Sequence, residues 1–130
     1  MECAGCRYAD VVVVAPVGRL DHGSAGELEA VLLPLLEPAA GAPGALVLDF
    51  ARIEYISSVG LRVLMIAAKK MRGRGARIAI VGMQPVVAEI FAISRFHNVL
   101  EVFESAAAAL AAISPAAAAA FGARTGTPTP

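Results

Sequence analysis

The stretch that decides the fold is ALVLDFARIEYISSVGLRVLMIAAKKM, residues 45–71. It opens with the apolar run Leu46 to Leu48, whose β-branched centre is typical of a buried strand. A polar passage then leads through Tyr55-Ile56 to the paired serines Ser57 and Ser58. After the serines, apolar residues recur at helical spacing, as Leu61, Leu64, Met65, Ala68 and Met71. The stretch therefore predicts a strand, a loop and a helix, with both serines at the start of the helix.

A serine at the start of a helix has two explanations. Its hydroxyl can simply cap the helix, by accepting a hydrogen bond from an amide of the first turn. The same place also tolerates an added phosphate, because free amides and the positive end of the helix dipole face it. A phosphate on Ser58 would lie one helical turn before Arg62, within reach of an ion pair. Both interpretations stay open on the local pattern: an ordinary cap, or a phosphorylation switch that acts on partner binding.

Strand and helix patterns alternate along the rest of the chain. Strand patterns lie at residues 8–20, 45–48, 77–81 and 99–103. Helical patterns follow them at residues 28–36, 61–71, 86–96 and 106–113. The first helix is preceded by Ser24 and Glu27, which match the capping box S-x-x-E. This alternation predicts an α/β domain with a largely parallel sheet.

Length and composition limit the kind of protein. The 130 residues make one domain, which we assign to residues 8–114, with a flexible N-terminus at 1–7 and a disordered Ala/Pro/Thr-rich tail at 115–130. Basic and acidic residues balance at 11 each, so no direct binding of nucleic acid is expected. The sequence has no signal-peptide pattern and no apolar run long enough for membrane insertion. A cytoplasmic protein is therefore expected.

Cysteines and histidines give no convincing catalytic or metal site. Cys3 and Cys6 form a C-x-x-C, which could be a redox pair, half a zinc site or two reduced thiols in a frayed terminus. The only histidines are far away in sequence: His22 lies in a turn pattern, and His97 lies at a probable helix end. No nucleophile, base and orienting group come together. We therefore expect no enzyme activity, no metal and no cofactor.

Two segments resemble the STAS family, which is named for sulphate transporters and anti-sigma factor antagonists. Residues 18–28, GRLDHGSAGEL, resemble the family pattern G-x-L-D-x-x-[ST]-A-x-x-L. Residues 48–61, LDFARIEYISSVGL, resemble L-D-[LF] followed by [FY]-[MI]-[DS]-S-x-G-[LI]. Their order and separation also agree with the family. The chain is most similar to the free-standing bacterial antagonists of sporulation and stress regulation.

The resemblance implies a fold and a function. The fold is a mixed, mostly parallel sheet of four to five strands with helices mainly on one face. The implied function is an anti-sigma factor antagonist, which binds an anti-sigma factor serine kinase and so releases a sigma factor. In such systems the kinase phosphorylates a serine at the start of the second helix and thereby ends binding, and a metal-dependent serine phosphatase reverses the reaction. By position, that serine is Ser58, and Asp21 and Ser24 fall in the neighbouring loop.

At one position the sequence departs from the family pattern. Many antagonists have Asp directly before the phosphorylated serine, whereas this chain has Ser57, which becomes the second candidate for modification. We expect partner binding around the helix start, at Asp21, Ser24, Ser57, Ser58, Val59, Gly60, Leu61 and Arg62. The resemblance also leaves an alternative function open. Some soluble STAS proteins dock on the ATPase of a lipid-transport ABC complex, and in that role neither serine would be modified.

Overall fold

A computed structural model describes residues 1–95 and 100–128. Its strands are β1 (Glu2–Tyr8), β2 (Val11–Leu20), β3 (Ala45–Asp49), β4 (Ile53–Ile56), β5 (Arg77–Val81), β6 (Glu101–Phe103) and β7 (Thr127–Pro128). Its helices are α1 (Ala25–Leu36), α2 (Ser58–Gly73), α3 (Pro85–Ser94), α4 (Ala106–Ile113) and α5 (Pro115–Gly122). Within these described residues, no helix has both the length and the apolar character needed to cross a bilayer.

The strands form one mixed sheet. Across the described chain their order is β6-β5-β3-β2-β1-β7, and β4 pairs with the far end of β2. The pairs β2–β3, β3–β5, β5–β6 and β2–β4 are parallel, whereas β1 pairs antiparallel with both β2 and β7. The expected α/β fold with a mostly parallel sheet is confirmed. The number of strands is larger than expected, with seven in the described residues instead of four to five.

The unexpected strands lie where the sequence has little apolar alternation. β1, ECAGCRY, is made largely of small and polar residues, and it forms because the outer edge of β2 offers it a complete antiparallel partner from Glu2–Val17 to Tyr8–Val11. β4 has only four residues and pairs with β2 beyond the end of β3. β7 has two residues. Short edge strands of this kind depend on a partner strand more than on their own propensity.

The sheet buries both of its faces, so helices cover both. In β3, Leu46 and Leu48 contribute to the core under α1, α2 and α3, while Ala45 and Val47 contribute to a second core under α4 and α5. Continuous apolar runs such as this one are typical of strands covered on two sides. The expected majority of helices, α1, α2 and α3, lies on one face, and α4 and α5 cover the other. The alanine-rich α4 and α5 pack on the opposite face, where small side chains permit close approach.

Both chain termini have regular structure, although a flexible N-terminus and a disordered tail were expected. Residues 1–7 are not a flexible N-terminus, because Glu2–Tyr8 is a strand of the sheet. The segment from residue 115 is not disordered over its described part, because it forms α5 and β7. Ala117 is fully buried in the second core, and the Phe121 ring packs edge-on against Tyr8, with 5.1 Å between centroids. This packing could not be predicted from the sequence, because an alanine-rich segment resembles a low-complexity one.

Candidate functional site

The start of α2 and the loop after β2 lie side by side at one end of the sheet. The parallel strands β2 and β4 end in register, with Leu20 opposite Ile56. The backbone amide of Ser57 then donates a hydrogen bond to the carbonyl of Leu20, at 2.8 Å. Because parallel strands end at the same edge, the segments that follow them become neighbours. The two segments that carry the family resemblance therefore meet in space.

The two serines have different environments. Ser57 is the N-cap of α2, with an extended backbone, and its Oγ accepts a hydrogen bond from the amide of Gly60 at 3.3 Å. Ser58 is the first residue of the helix and is exposed. No other side chain or backbone group of the described residues hydrogen-bonds its hydroxyl. Ser57 is thus occupied with capping, whereas the Ser58 hydroxyl is open to solvent.

Gly60 is required for the close approach of α2 to the end of β2. A Cβ at this position would lie 2.7 Å from Leu20 Cγ and 2.9 Å from Ile56 Cγ1, far inside ordinary contact distances. Gly60 is itself buried. It was expected among the partner-binding residues, but its position gives it a structural role: it lets the helix start sit against the strand ends.

Ser24 also has a structural role. It is 9% exposed, and its Oγ donates to the carbonyl of Arg19 at 2.6 Å while accepting from the amide of Asp21 at 3.0 Å. The predicted capping box is wrong, because the Ser24 backbone has a near-helical conformation and its side chain makes no capping hydrogen bond to α1. Glu27, the other half of that box, instead pairs with the amino group of Met1. Ser24 therefore shapes the loop and offers a partner no free hydroxyl.

Asp21 remains at the surface of this loop. Its Oδ1 accepts a hydrogen bond from the amide of Gly23 at 3.0 Å, which fixes the turn, and the carboxylate stays 43% exposed. The Arg19 Nε lies 4.0 Å from its Oδ2, and the Arg19 guanidinium stacks over the Tyr55 ring at 4.6 Å from the centroid. A cation over an aromatic face is attracted by the ring quadrupole. A charged and aromatic surface therefore borders the helix start.

Arg19 and Tyr55 belong to this surface, although neither was among the expected partner-binding residues. Arg19 lies at a variable position of the first motif segment, and Tyr55 fills the [FY] position of the second, whose pattern does not show which residue faces it. Only the pairing of β2 with β4, which sets Arg19 opposite Tyr55, brings them together. The register of two strands that are distant in sequence is not visible in either segment alone.

Val59, Leu61 and Arg62 complete the first turns of α2. Val59 and Leu61 are half-buried against the main core, so they present only part of their side chains to a partner. Arg62 is exposed one turn after Ser58. Of the expected partner-binding residues, Ser58 and Arg62 are exposed, and Asp21 keeps a partly exposed carboxylate.

The cysteines do not form a pair. Cys3 and Cys6 are three positions apart on β1, so their side chains point to opposite faces of the sheet, where no disulfide can join them. Cys3 packs against the main core, and burial raises the pKa of its thiol, which disfavours the reactive thiolate. Over residues 1–95 and 100–128, no group of three potential metal ligands is found. His22 is exposed in its turn, and His97 lies outside the described residues.

The fold and the site define a small mixed α/β domain with an exposed serine at the start of its second helix. Residues 7–109 match the STAS domain family, so the chain belongs to that family. It is 35% identical over 99 residues to the anti-sigma factor antagonist BtrV of Bordetella bronchiseptica, covering 76% of this chain and 83% of BtrV.

Solved structures share the fold. An anti-sigma factor antagonist from Mycobacterium paratuberculosis is 24% identical with a TM-score of 0.75, over 86% of this chain and 94% of that one. The phosphorylated form of the Bacillus cell fate determinant SpoIIAA is 16% identical with a TM-score of 0.63, over 84% of this chain and 97% of that one. At these identities the likeness establishes the fold.

Proposed function

We propose that this protein is an anti-sigma factor antagonist whose binding to an anti-sigma factor serine kinase is switched off by phosphorylation of Ser58. The observation that carries the proposal is the contrast between the two serines: Ser58 is exposed, while the Ser57 hydroxyl accepts the Gly60 amide. A kinase must reach the hydroxyl that it phosphorylates, and Ser58 meets this requirement without loss of a cap. The naming of the relative BtrV as an anti-sigma factor antagonist supports the same function.

The start of α2 is chemically suited to a phosphate. Transfer of the γ-phosphoryl group of ATP to Ser58 Oγ leaves ADP and adds about −1.5 to −2 charges at pH 7. The first-turn amides and the helix dipole favour an anion there. The exposed Arg62 at i+4 supplies a cation within one turn. The fold should therefore persist after modification.

Loss of binding follows from the same charge. A partner that covers the start of α2 would have to bury the phosphate dianion, and burial of an unpaired charge costs several kcal/mol, of order 10³-fold or more in affinity. Phosphorylation then separates the antagonist from the kinase, and the sigma factor is recaptured. A metal-dependent serine phosphatase would restore the hydroxyl by hydrolysis and reopen the cycle in the cytoplasm.

Binding measurements with three serine variants test this function. The anti-sigma factor kinases encoded in the genome that carries this gene are purified, and their affinity for each variant is measured by titration calorimetry. We expect wild type and Ser58→Ala to bind one of them with similar affinity without ATP, and Ser58→Glu to bind at least about tenfold more weakly. Ser58→Gln is the matched control for side-chain size, and it should bind more tightly than Ser58→Glu because it adds no charge.

Two results would oppose the proposal. Equal affinity of Ser58→Ala and Ser58→Glu for the kinase would show that charge at Ser58 does not control binding. Copurification with an ABC ATPase, without binding to any anti-sigma factor kinase, would instead support the transport-subunit function, in which Ser57 and Ser58 stay unmodified.

A further inference from the structure

The helix α2 carries basic side chains and no acidic ones. Its basic residues are Arg62, Lys69, Lys70 and Arg72. The chain as a whole is neutral, with 11 basic and 11 acidic residues, so the acidic residues lie on other elements. The uneven distribution, more than the total charge, distinguishes the surface of α2.

Two of these basic residues share one stripe with Ser58. At about 100° per residue, Ser58, Arg62, Met65 and Lys69 fall within roughly 60° of one another around the helix axis. We call these four residues the α2 stripe. The buried residues of α2 lie on the opposite side of the helix: Gly60, Val63, Leu64, Ala67, Ala68 and Met71. The stripe therefore faces outward, and it extends about 16 Å along the helix from Ser58.

The charges of the stripe are not neutralised within the described part of the molecule. Lys70, which points to another side, forms an ion pair with Glu37 of the loop after α1, at 2.8 Å. The C-cap residue Arg74 donates hydrogen bonds to backbone carbonyls, among them that of Pro43 at 2.6 Å. By contrast, Arg62 and Lys69 are exposed, and neither forms an ion pair with any described residue. These two cations are available to an external partner.

We propose that the α2 stripe is a docking surface for an acidic segment of the anti-sigma factor, with Arg62 and Lys69 facing its carboxylates. The inference rests on the proposed function and extends the interface two turns beyond the residues at the helix start. Met65, between the two cations, packs partly against the main core, and its remaining exposed surface provides the apolar contact that protein interfaces combine with charge. Complementary charge of this kind fixes register and speeds association.

The stripe also explains how one phosphate could end binding. Ser58 lies at the head of the stripe, so its phosphate would place negative charge where an acidic partner approaches and would draw Arg62 into a local pair. A nucleic acid or an anionic membrane fits the surface less well. Two free cations on a neutral domain neutralise few phosphates, and affinity for such polyanions rises with the number of phosphates that are neutralised.

Adjacent lysines provide a matched test. Lys69→Glu and Lys70→Glu make the same charge change in the same last turns of α2, but only Lys69 belongs to the stripe. Each variant is titrated with the anti-sigma factor kinase that binds the wild type, after circular dichroism melts have shown both to be folded. We expect Lys69→Glu to weaken binding about tenfold or more and Lys70→Glu to change it less than about threefold. The wild-type affinity should fall as salt rises, and the slope should be smaller for Lys69→Glu.

The outcomes separate this inference from the function on which it rests. If the wild type binds a kinase but Lys69→Glu and Lys70→Glu bind it equally well, the docking surface is wrong while the proposed function stands. If the wild type binds no kinase, both fail. Binding to phosphatidylserine vesicles that is lost in Lys69→Glu, with unchanged kinase affinity, would also overturn the inference, because it would assign the stripe to a membrane surface.

Discussion

Ser57 and Ser58 are adjacent residues of the same type, but their hydroxyls have different roles. The Ser57 hydroxyl accepts a hydrogen bond from the Gly60 amide, so it satisfies a donor that the helix cannot. The Ser58 hydroxyl is exposed and makes no capping hydrogen bond to any described residue. A residue used for stability and a residue available for modification therefore stand side by side.

This separation predicts different costs for removing each hydroxyl. Ser57→Ala should lower the free energy of unfolding by about 0.5–2 kcal/mol, because the cap is lost. Ser58→Ala should change it by less than about 0.5 kcal/mol, since the hydroxyl is exposed. Urea denaturation of both variants measures the difference. A larger loss for Ser58→Ala than for Ser57→Ala would contradict the assignment of the cap.

At the scale of elements, the edge of the sheet at β6 is held by a two-pronged ion pair. Arg77 on β5 donates to both carboxylate oxygens of Glu101 on β6, at 2.9 and 2.5 Å. These hydrogen bonds hold the pKa of the Glu101 carboxyl below its ordinary value of 4.5. β6 has only three residues, so this side-chain link supplements a short ladder.

The lowered pKa predicts a pH-dependent contribution to stability. The folded carboxyl is more acidic than the unfolded one, so the pair stabilises the fold above about pH 4.5 and its contribution is lost as pH falls through the folded pKa. Both side chains are more than 40% exposed, so Glu101→Gln should cost less than about 1 kcal/mol at pH 7.

Denaturation of wild type and Glu101→Gln at several pH values tests this expectation. The difference between them should shrink at low pH, where the wild-type carboxylate is protonated. Glu104→Gln is a matched control, because Glu104 forms no ion pair with a described residue. A difference that stays constant down to the acid limit would show that the pair contributes nothing through its charge.

How far these elements could be predicted depended on where their stabilising contacts lie. β2, β3 and β5 bury continuous apolar runs, and α2 has a strongly periodic apolar face, so local pattern was sufficient for them. β4 could not be predicted, because its four residues, IEYI, have too short an apolar pattern of their own, and the strand forms by pairing with Gly18 to Leu20 of β2. The false capping box at Ser24 shows the opposite case. There the sequence matches S-x-x-E, but the Ser24 hydroxyl bonds to the backbone of Arg19 and Asp21 within the loop instead of capping α1.

At the scale of the whole molecule, the second face of the sheet joins the two ends of the chain. α5 packs near β1, Phe121 contacts Tyr8, and β7 pairs with Cys6 and Arg7. The chain needs glycine at position 126 to pass this close to β1, because a Cβ there would clash with the Tyr8 ring and the Cys6 Sγ. The candidate site could be predicted from two sequence motifs. The packing of the C-terminal segment on β1 could not be predicted, because only the assembled sheet shows which surface the alanine-rich segment covers.

Closure of the second face predicts that Phe121 contributes to stability. Phe121→Ala should lower the free energy of unfolding by about 1–3 kcal/mol, from lost apolar burial and the lost aromatic pair. Ile93→Ala is the matched control, because the Ile93 side chain is 75% exposed and its truncation should cost little. Urea denaturation measures both. Equal stability of Phe121→Ala and wild type would mean that the C-terminal segment does not pack on β1.

The proposed switch depends on the Ser58 hydroxyl, and a phosphopeptide map tests it most directly. Trypsin cleavage after Arg52 and Arg62 releases IEYISSVGLR, residues 53–62, which contains both candidate serines. After incubation with the cognate anti-sigma factor kinase and ATP, fragment ions that break the chain between the serines assign the phosphate. We expect it on Ser58 in the wild type and on no residue of this peptide in Ser58→Ala. A phosphate on Ser57, or an unmodified peptide although the kinase binds the protein, would contradict the account.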